Sequence, residues 1–87
     1  MFEWDELKRA RNLARHRFDF DICVELFDGP MMTRFSPRSG EMRFLSVCQW
    51  RDRYLAVVWT WRAGNRRIIS IRSARDDEKR AYRAILG

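Results

Sequence analysis

Residues 42–73 read MRFLSVCQWRDRYLAVVWTWRAGNRRIISIRS, and this stretch decides the fold. It contains three runs rich in β-branched and aromatic residues, at 42–50, 54–62 and 66–73, and such runs are typical of strands. Only Arg51-Asp52-Arg53 and Ala63-Gly64-Asn65 separate them, and connections this short join neighbouring antiparallel strands. The stretch therefore predicts a three-stranded antiparallel meander.

The flanking sequence adds two strands and three helices. The strands are predicted at residues 1–4 and 31–35, and the helices at about 5–15, 19–27 and 76–86. Asp5 is a suitable N-cap for the first helix, and Asp28-Gly29-Pro30 ends the second. The order β-α-α-β-β-β-β-α predicts the α+β class, with a mostly antiparallel sheet and helices packed on one face. A chain of 87 residues is short enough for one domain over residues 1–87.

Residue spacing also predicts which side chains face the core. On the first helix an apolar stripe recurs at three- and four-residue intervals, and we expect it to be buried: Leu7, Ala10, Leu13 and Ala14. On the last strand, alternation predicts that Ile69 and Ile71 face the helices. The same alternation predicts that the opposite set lies on an open face: Arg66, Ile68, Ser70 and Arg72.

Composition and charge exclude several classes of protein. No apolar run approaches the ~18 residues of a membrane span, and the acidic start, Phe2-Glu3-Trp4-Asp5-Glu6, is unlike a signal peptide, so we expect a cytoplasmic protein without a membrane partner. Cys23 and Cys48 lie in apolar stretches and are expected to be reduced core thiols. With His16 as the single histidine, a zinc site is not expected, and no motif indicates a cofactor or another metal.

The charge of the chain points to an anionic partner. The 18 basic residues, of which 16 are arginines, exceed the 12 acidic residues and give a net charge of +6. Residues 42–87 carry eleven basic and four acidic residues, whereas residues 1–41 carry seven and eight. A basic half of a small domain favours nucleic acid or an acidic protein segment as the partner.

Arginines are also the side chains best suited to chemistry here. A single histidine makes Ser–His–Asp catalysis improbable, and the acidic run Asp76-Asp77-Glu78 is typical of a helix start. A guanidinium group matches phosphate oxygens in two bonds at once and stabilises charge that develops on phosphorus. From the residues alone, two functions remain open: cleavage of RNA by its own 2′-hydroxyl, and non-catalytic binding of nucleic acid or an acidic protein segment.

Three motifs in register resemble the BrnT family of bacterial ribonuclease toxins. The opening Phe2-x-Trp4-Asp5…Lys8…Asn12…Arg15-His16…Phe20…Asp28-x-Pro30 is similar to the start of that family. Glu41-x-Arg43-Phe44 matches its E-x-R-F strand, and Arg67-Ile68-Ile69-Ser70-Ile71-Arg72-Ser73-Ala74…Glu78…Tyr82 matches its ending. Departures from the pattern occur where Arg17, Ile71 and Arg75 replace a glycine, an alanine and a threonine, and where Arg15 replaces a lysine.

The resemblance implies a RelE-like endoribonuclease toxin of a type II toxin–antitoxin system, which cleaves RNA without a metal. It implies a BrnA-like ribbon-helix-helix antitoxin as the partner, with DNA contacted only through that antitoxin. A toxin that has lost activity and is retained only for complex formation is the alternative that the departures leave open. Carried over by position and joined to the basic residues above, the candidates for catalysis are Arg72, Lys8, His16, Arg67 and Glu78, with Arg72 preferred as the phosphate clamp. The candidates for RNA binding are Asn12, Arg15, Arg43, Arg66, Ser70 and Tyr82.

Overall fold

A computed structural model describes residues 1–87. Five strands and three α-helices follow one another along the chain, and a 3₁₀ turn at Phe20–Ile22 leads directly into α2. The strands are β1 (Phe2–Trp4), β2 (Met31–Phe35), β3 (Arg43–Trp50), β4 (Arg53–Arg62) and β5 (Asn65–Ser73). The helices are α1 (Glu6–His16), α2 (Cys23–Leu26) and α3 (Asp76–Leu86).

The strands form one mixed sheet in the order β1-β5-β4-β3-β2. β1 pairs with β5 in parallel, and every other pairing is antiparallel. The predicted α+β class, the mostly antiparallel sheet and the element order are confirmed. The predicted second helix is shorter than expected, because its first turn is the 3₁₀ turn.

The packing of the helices differs from the prediction, because α3 does not share a face with α1 and α2. One core joins α2 and the residues before it to Leu55, Val57 and Trp59 of β4, whereas the other joins Tyr82 of α3 to Ala56. Successive residues of a strand point to opposite faces, so the two cores lie on opposite sides of the sheet. Both faces of β3 and β4 carry apolar residues, so each face of the sheet is covered by a helix.

A β-bulge in β5 overturns the predicted facing of that strand. Val58 pairs with Ser70 and the next residue, Trp59, pairs with Ile68, which leaves Ile69 as an extra residue. Ile68 and Ile71 are therefore both buried against α2, whereas Ile69 is only partly buried.

The same bulge separates two arginines that simple alternation places together. Arg72, opposite Ala56, lies on the α3 face of the sheet, whereas Arg66, opposite Trp61, lies on the α2 face. Arg67, opposite Thr60, shares the α3 face with Arg72.

The predicted core stripe of α1 faces solvent. Leu7 is 60% exposed and Leu13 is 41% exposed, and Ala10 and Ala14 are exposed as well. The buried residue of this helix is Asn12. Its Nδ2 donates to the carbonyl oxygens of Phe18 (3.1 Å) and Ile71 (2.9 Å), and its Oδ1 accepts the Ile71 N–H (3.1 Å). A polar clasp on β5, rather than an apolar stripe, thus fixes α1.

The ends of α1 follow from two residues. Asp5 Oδ1 accepts the N–H groups of Leu7 and Lys8, as its N-cap position predicts. At the other end Arg17 adopts φ 68° and ψ 18°, a left-handed conformation that favours glycine. The turn that a glycine would make is therefore kept, with a side chain under strain.

Both cysteines are free and buried, Cys23 in α2 and Cys48 in β3. Burial raises the pKa of both thiols, that of Cys48 to about 11. The expectation of reduced core thiols agrees with this arrangement.

We expect Arg17→Gly to stabilise the protein by about 1 kcal/mol, because glycine relieves the left-handed strain. Thermal unfolding followed by circular dichroism measures the change. Arg17→Ala is the matched control, since alanine removes the same charge but keeps the strain. Equal melting temperatures for the glycine and alanine variants would contradict this account.

Asn12→Ala is expected to cost about 2–4 kcal/mol of unfolding free energy, because it leaves buried backbone groups of Phe18 and Ile71 without partners. Denaturant titration gives the value. Asn12→Asp keeps an acceptor for the Ile71 N–H but loses both donated bonds. We expect it to lower the unfolding free energy by about 2–4 kcal/mol as well. A change within about 0.5 kcal/mol in both variants, as at an ordinary surface position, would show that the clasp does not hold α1.

Candidate functional site

Two neighbouring clefts hold most of the candidate residues, and Ser70 lines both. The first, here the arginine cleft, has a volume of about 300 Å³ on the α3 side of the sheet. The second, here the helix cleft, has a volume of about 260 Å³ and lies between α1 and the bulge of β5. The arginine cleft is lined by Arg34, Ser36, Arg38, Arg43, Leu45, Val58, Ser70, Arg72, Arg75 and Glu78. The helix cleft is lined by Lys8, Arg11, Asn12, Arg15, His16, Ile69 and Ser70.

The local sequence explains how these walls come together. Ser70 follows the bulged Ile69, so the bulge turns Ser70 and Arg72 towards the α3 face. α3 begins directly after the short link from β5, and Glu78 lies in its first turn. The Glu78 carboxylate accepts the backbone N–H of Arg75 at 2.8 Å, which is half of a capping box. Arg75 itself occupies the N-cap position of α3.

Arg72 and Glu78 form a two-bond ion pair at the floor of the arginine cleft. Arg72 Nη1 donates to Glu78 Oε1 at 2.8 Å, and Arg72 Nη2 donates to Glu78 Oε2 at 2.9 Å. Glu78 is only 1% exposed, and Arg34 Nη2 lies 3.8 Å from its Oε2. The carboxylate is thus surrounded by donors, and its position is fixed from several sides.

The electrostatics of the cleft favour an anionic ligand. Five arginines and one glutamate line it, which leaves four positive charges in excess. The hydrogen bonds from Arg72 hold the pKa of Glu78 below its ordinary value, despite the opposing effect of burial. The same contact raises the pKa of Arg72. Both groups therefore stay charged at neutral pH, and the excess charge is permanent.

The helix cleft contains the one histidine of the chain. His16 is half-buried, and its pKa lies below the ordinary value. Desolvation is the main cause, and the positive charges of Arg15 and Arg72 add to it. At neutral pH the imidazole is therefore neutral and able to accept a proton. Lys8 and Arg15 are exposed beside it.

The structure places seven of the candidate residues in the lining of the two clefts, which meet at Ser70. They are Lys8, Arg15, His16, Arg43, Ser70, Arg72 and Glu78. The Nε of Arg43 donates to Glu41 at 2.8 Å, which leaves the terminal nitrogens of this guanidinium for a ligand. Asn12 lines the helix cleft as well, but its amide is engaged by the backbone of β5 and of the segment after α1.

Three candidates lie outside both clefts. Arg67 forms an ion pair with Glu3 at 2.6 Å, which joins β5 to β1. Tyr82 is buried in the α3-side core, with its ring 5.3 Å from that of Tyr54. Arg66 lies on the opposite face of the sheet.

Sequence reasoning missed several cleft residues, namely Arg11, Arg34, Ser36, Arg38 and Arg75. Arg34 and Arg38 lie in residues 1–41, which carry no excess positive charge. Comparing the net charge of the two halves of the chain therefore did not single them out. The alternation of β2 offered a signal, because Met32 and Arg34 fall on one face and Met32 packs against the core beneath α3.

The structure shows neither a metal-binding cluster nor a membrane-spanning helix. No group of three or more histidine, cysteine, aspartate or glutamate side chains has an arrangement suited to a metal ion. None of the helices combines the length and apolar character that crossing a lipid bilayer demands.

A comparison with protein families gives one match. The family described as "Ribonuclease toxin, BrnT, of type II toxin-antitoxin system" matches residues 4–78, which is most of the chain. No curated protein matches the chain.

Proposed function

The chain belongs to the BrnT family of ribonuclease toxins of type II toxin–antitoxin systems, and from this premise we propose that its arginine cleft binds and cleaves RNA. One observation carries the proposal: a buried glutamate orients Arg72 in a cleft lined by four further arginines. The cleft is the most positively charged concavity of the chain, and an RNA phosphate is the anion that a ribonuclease must hold.

The proposed reaction uses the RNA's own 2′-hydroxyl as the nucleophile. The 2′-oxygen bonds to the adjacent phosphorus while the bond from phosphorus to the 5′-oxygen breaks. The proton of the 2′-hydroxyl passes to a base, and the leaving 5′-oxygen takes up a proton. The products are a 2′,3′-cyclic phosphate and a 5′-hydroxyl. Negative charge accumulates on the phosphate oxygens in the transition state, and arginines held in place stabilise it without a metal ion.

Arg72 retains donors for this purpose. A guanidinium has five N–H groups, and Arg72 uses three of them, two for Glu78 and one for the Ser73 carbonyl oxygen. Its Nε–H and one N–H of Nη2 remain for a phosphate. We therefore assign Arg72 as the group that touches the scissile phosphate.

Glu78 acts through Arg72 in this proposal, as a positioning residue. Its oxygens already accept bonds from Arg72 and from the Arg75 backbone, and its lowered pKa makes it a poor proton acceptor at neutral pH. Holding the guanidinium in one orientation is the role that these contacts support.

His16 is the preferred general base. Its neutral imidazole lies in the helix cleft, which meets the arginine cleft at Ser70. RNA that spans the two clefts would place its reacting ribose near Ser70. Lys8 is the proposed proton donor to the leaving oxygen, because its side chain is exposed in the same cleft as His16.

The remaining candidates have supporting roles in the proposal. Arg15 and Arg43 bind phosphates that flank the scissile one, since each lines one of the clefts. Asn12, Arg67 and Tyr82 maintain the geometry of the sheet and helices through the contacts described above.

The family also implies an antitoxin as the partner that controls the activity. We propose a BrnA-like antitoxin with a ribbon-helix-helix part, so that this chain meets DNA only through its partner. We further propose that the chain acts in the cytoplasm, where its RNA substrate is.

Arg72→Lys is expected to lower the rate of RNA cleavage by about 100-fold or more, because lysine keeps the charge beside Glu78 but loses the planar fork. The measurement is cleavage of a fluorescent single-stranded RNA by the purified chain, with and without a chelator. The wild-type chain should cleave equally in both conditions.

Arg80→Lys is the matched control, because Arg80 is exposed on α3 and lines neither cleft. It should cleave at the wild-type rate. Wild-type activity of Arg72→Lys would show that Arg72 does not act on the scissile phosphate. Loss of wild-type activity with the chelator would show that the reaction needs a metal ion. Salt-sensitive RNA binding by the wild-type chain without any cleavage would favour a binding module instead.

The pH dependence tests His16. Because the pKa of His16 lies below its ordinary value, activity should rise with pH at a midpoint below that of an ordinary histidine. Because the chain has a single histidine, its Hε1 signal is assigned without ambiguity in a proton NMR titration, so the same pKa is read directly. Arg15→Gln removes a nearby positive charge and should move both midpoints to higher pH. A cleavage rate whose pH midpoint differs from the His16 pKa measured by NMR would show that His16 is not the base.

A further inference from the structure

Aromatic rings cover one end of the sheet on the face opposite the arginine cleft. Ring centroids lie 5.3 Å apart between Phe35 and Phe44, 4.7 Å between Phe44 and Trp59, and 5.2 Å between Trp59 and Trp61. Phe27 adds a further ring 5.4 Å from Trp59. Together with Arg66, these residues are called the aromatic patch.

The patch is apolar surface that solvent reaches. Phe35 is 68% exposed and Trp61 is 50% exposed, although each packs on a buried or half-buried ring. Exposed aromatic side chains in contact with one another are uncommon on a monomer and mark binding surfaces. Tryptophan and arginine are moreover the residues that contribute most at protein interfaces.

Arg66 has no carboxylate partner in this patch. Its guanidinium carbon lies 4.9 Å from the ring centre of Trp61, 5.0 Å from that of Phe27 and 5.5 Å from that of Trp59. Its Nε is buried without a hydrogen-bond partner, the one such side-chain atom in the chain. Arg67 and Arg72 on the same strand each hold a carboxylate, at 2.6 Å and 2.8 Å. An unpaired guanidinium among rings is best satisfied by an anion that arrives with a partner.

The chemistry of the patch favours a protein over RNA or a second copy. RNA would find one unpaired cation here, whereas five arginines line the cleft on the other face. In a two-fold contact between copies, each patch would meet its own equivalent, so two unpaired arginines would approach each other. A partner with an apolar side chain for the rings and a carboxylate for Arg66 fits both features.

We propose that the aromatic patch is the docking site for the antitoxin, which inserts an apolar side chain beside Trp61 and Phe35 and pairs an aspartate or glutamate with Arg66. The proposal rests on the toxin–antitoxin function above. An antitoxin segment bound to the aromatic patch lies on the opposite face of the sheet and does not itself cover the arginine cleft. In this proposal the antitoxin anchors here and reaches the cleft with another segment, so that loss of the anchor weakens binding and inhibition but leaves RNA cleavage unchanged.

The test uses the product of the reading frame that adjoins this gene, co-expressed and purified, with binding measured by calorimetry. Trp61→Ser and Phe35→Ser should each weaken binding by about 10-fold or more, and Arg66→Gln by a similar factor. Ile85→Ser is the matched control, because Ile85 is 70% exposed on α3, outside the patch, and should bind as the wild type does. Arg66→Lys, which keeps the charge, should lose less than Arg66→Gln.

Cleavage of a single-stranded RNA by the same variants separates this proposal from the function on which it rests. Trp61→Ser and Phe35→Ser should cleave as the wild type does, yet need more antitoxin for inhibition. Unchanged antitoxin binding in all three patch variants would overturn the docking site, as would weakened RNA binding with antitoxin binding intact. If the wild-type chain cleaves no RNA but the patch variants still bind the antitoxin more weakly, the docking site is supported and the ribonuclease function is contradicted.

Discussion

The extra residue in β5 determines what each side of the sheet can do. Without the bulge at Ile69, strict alternation would direct Arg66 and Arg72 to the same face. With it, the part of β5 before the bulge turns Arg66 towards the aromatic rings, and the part after it turns Ser70 and Arg72 towards the arginine cleft. The Asn12 amide is bonded to the backbone of Ile71, two residues after the bulge, and these bonds hold the helix that carries Lys8 and His16 beside the same strand.

The two faces then differ in how they balance positive charge. On the α3 face one buried carboxylate, Glu78, orders Arg72, and the other arginines leave an excess that suits a phosphate. On the α2 face Arg66 lies among rings without a carboxylate. A ribonuclease toxin needs a site for RNA and a surface for its antitoxin, and the sheet places two chemically different surfaces back to back.

Most of the fold follows from the sequence, and the residues show why the rest does not. Turn signals such as Ala63-Gly64-Asn65 and the cap Asp5 mark where elements begin and end, and those boundaries agree with the structure. A bulge leaves no sign in an alternating pattern, so the facing of Ile68 and Ile69 was predicted wrongly. The stripe of α1 was predicted to be buried because it is apolar, although a buried amide is what holds that helix.

The candidate site was predictable in part. The residues drawn from the family motifs include Arg72, Glu78, His16 and Ser70, which the fold brings to two adjoining clefts. Arg34 and Arg38 were not found, because their contribution depends on where β2 and its loop lie across the sheet. The distinction between Arg66 and Arg67 likewise depends on tertiary contacts rather than on their adjacent positions.

The central claim is that RNA meets Arg72 and not Arg66. It is tested most directly by NMR of the arginine Nε–H groups during titration with a single-stranded RNA that carries a 2′-deoxy residue at the cleavage position. The Nε–H of Arg72 is left free by Glu78, so its signal should shift and saturate with the RNA, while that of Arg66 stays unchanged. A saturating shift at Arg66 with none at Arg72 would contradict the account.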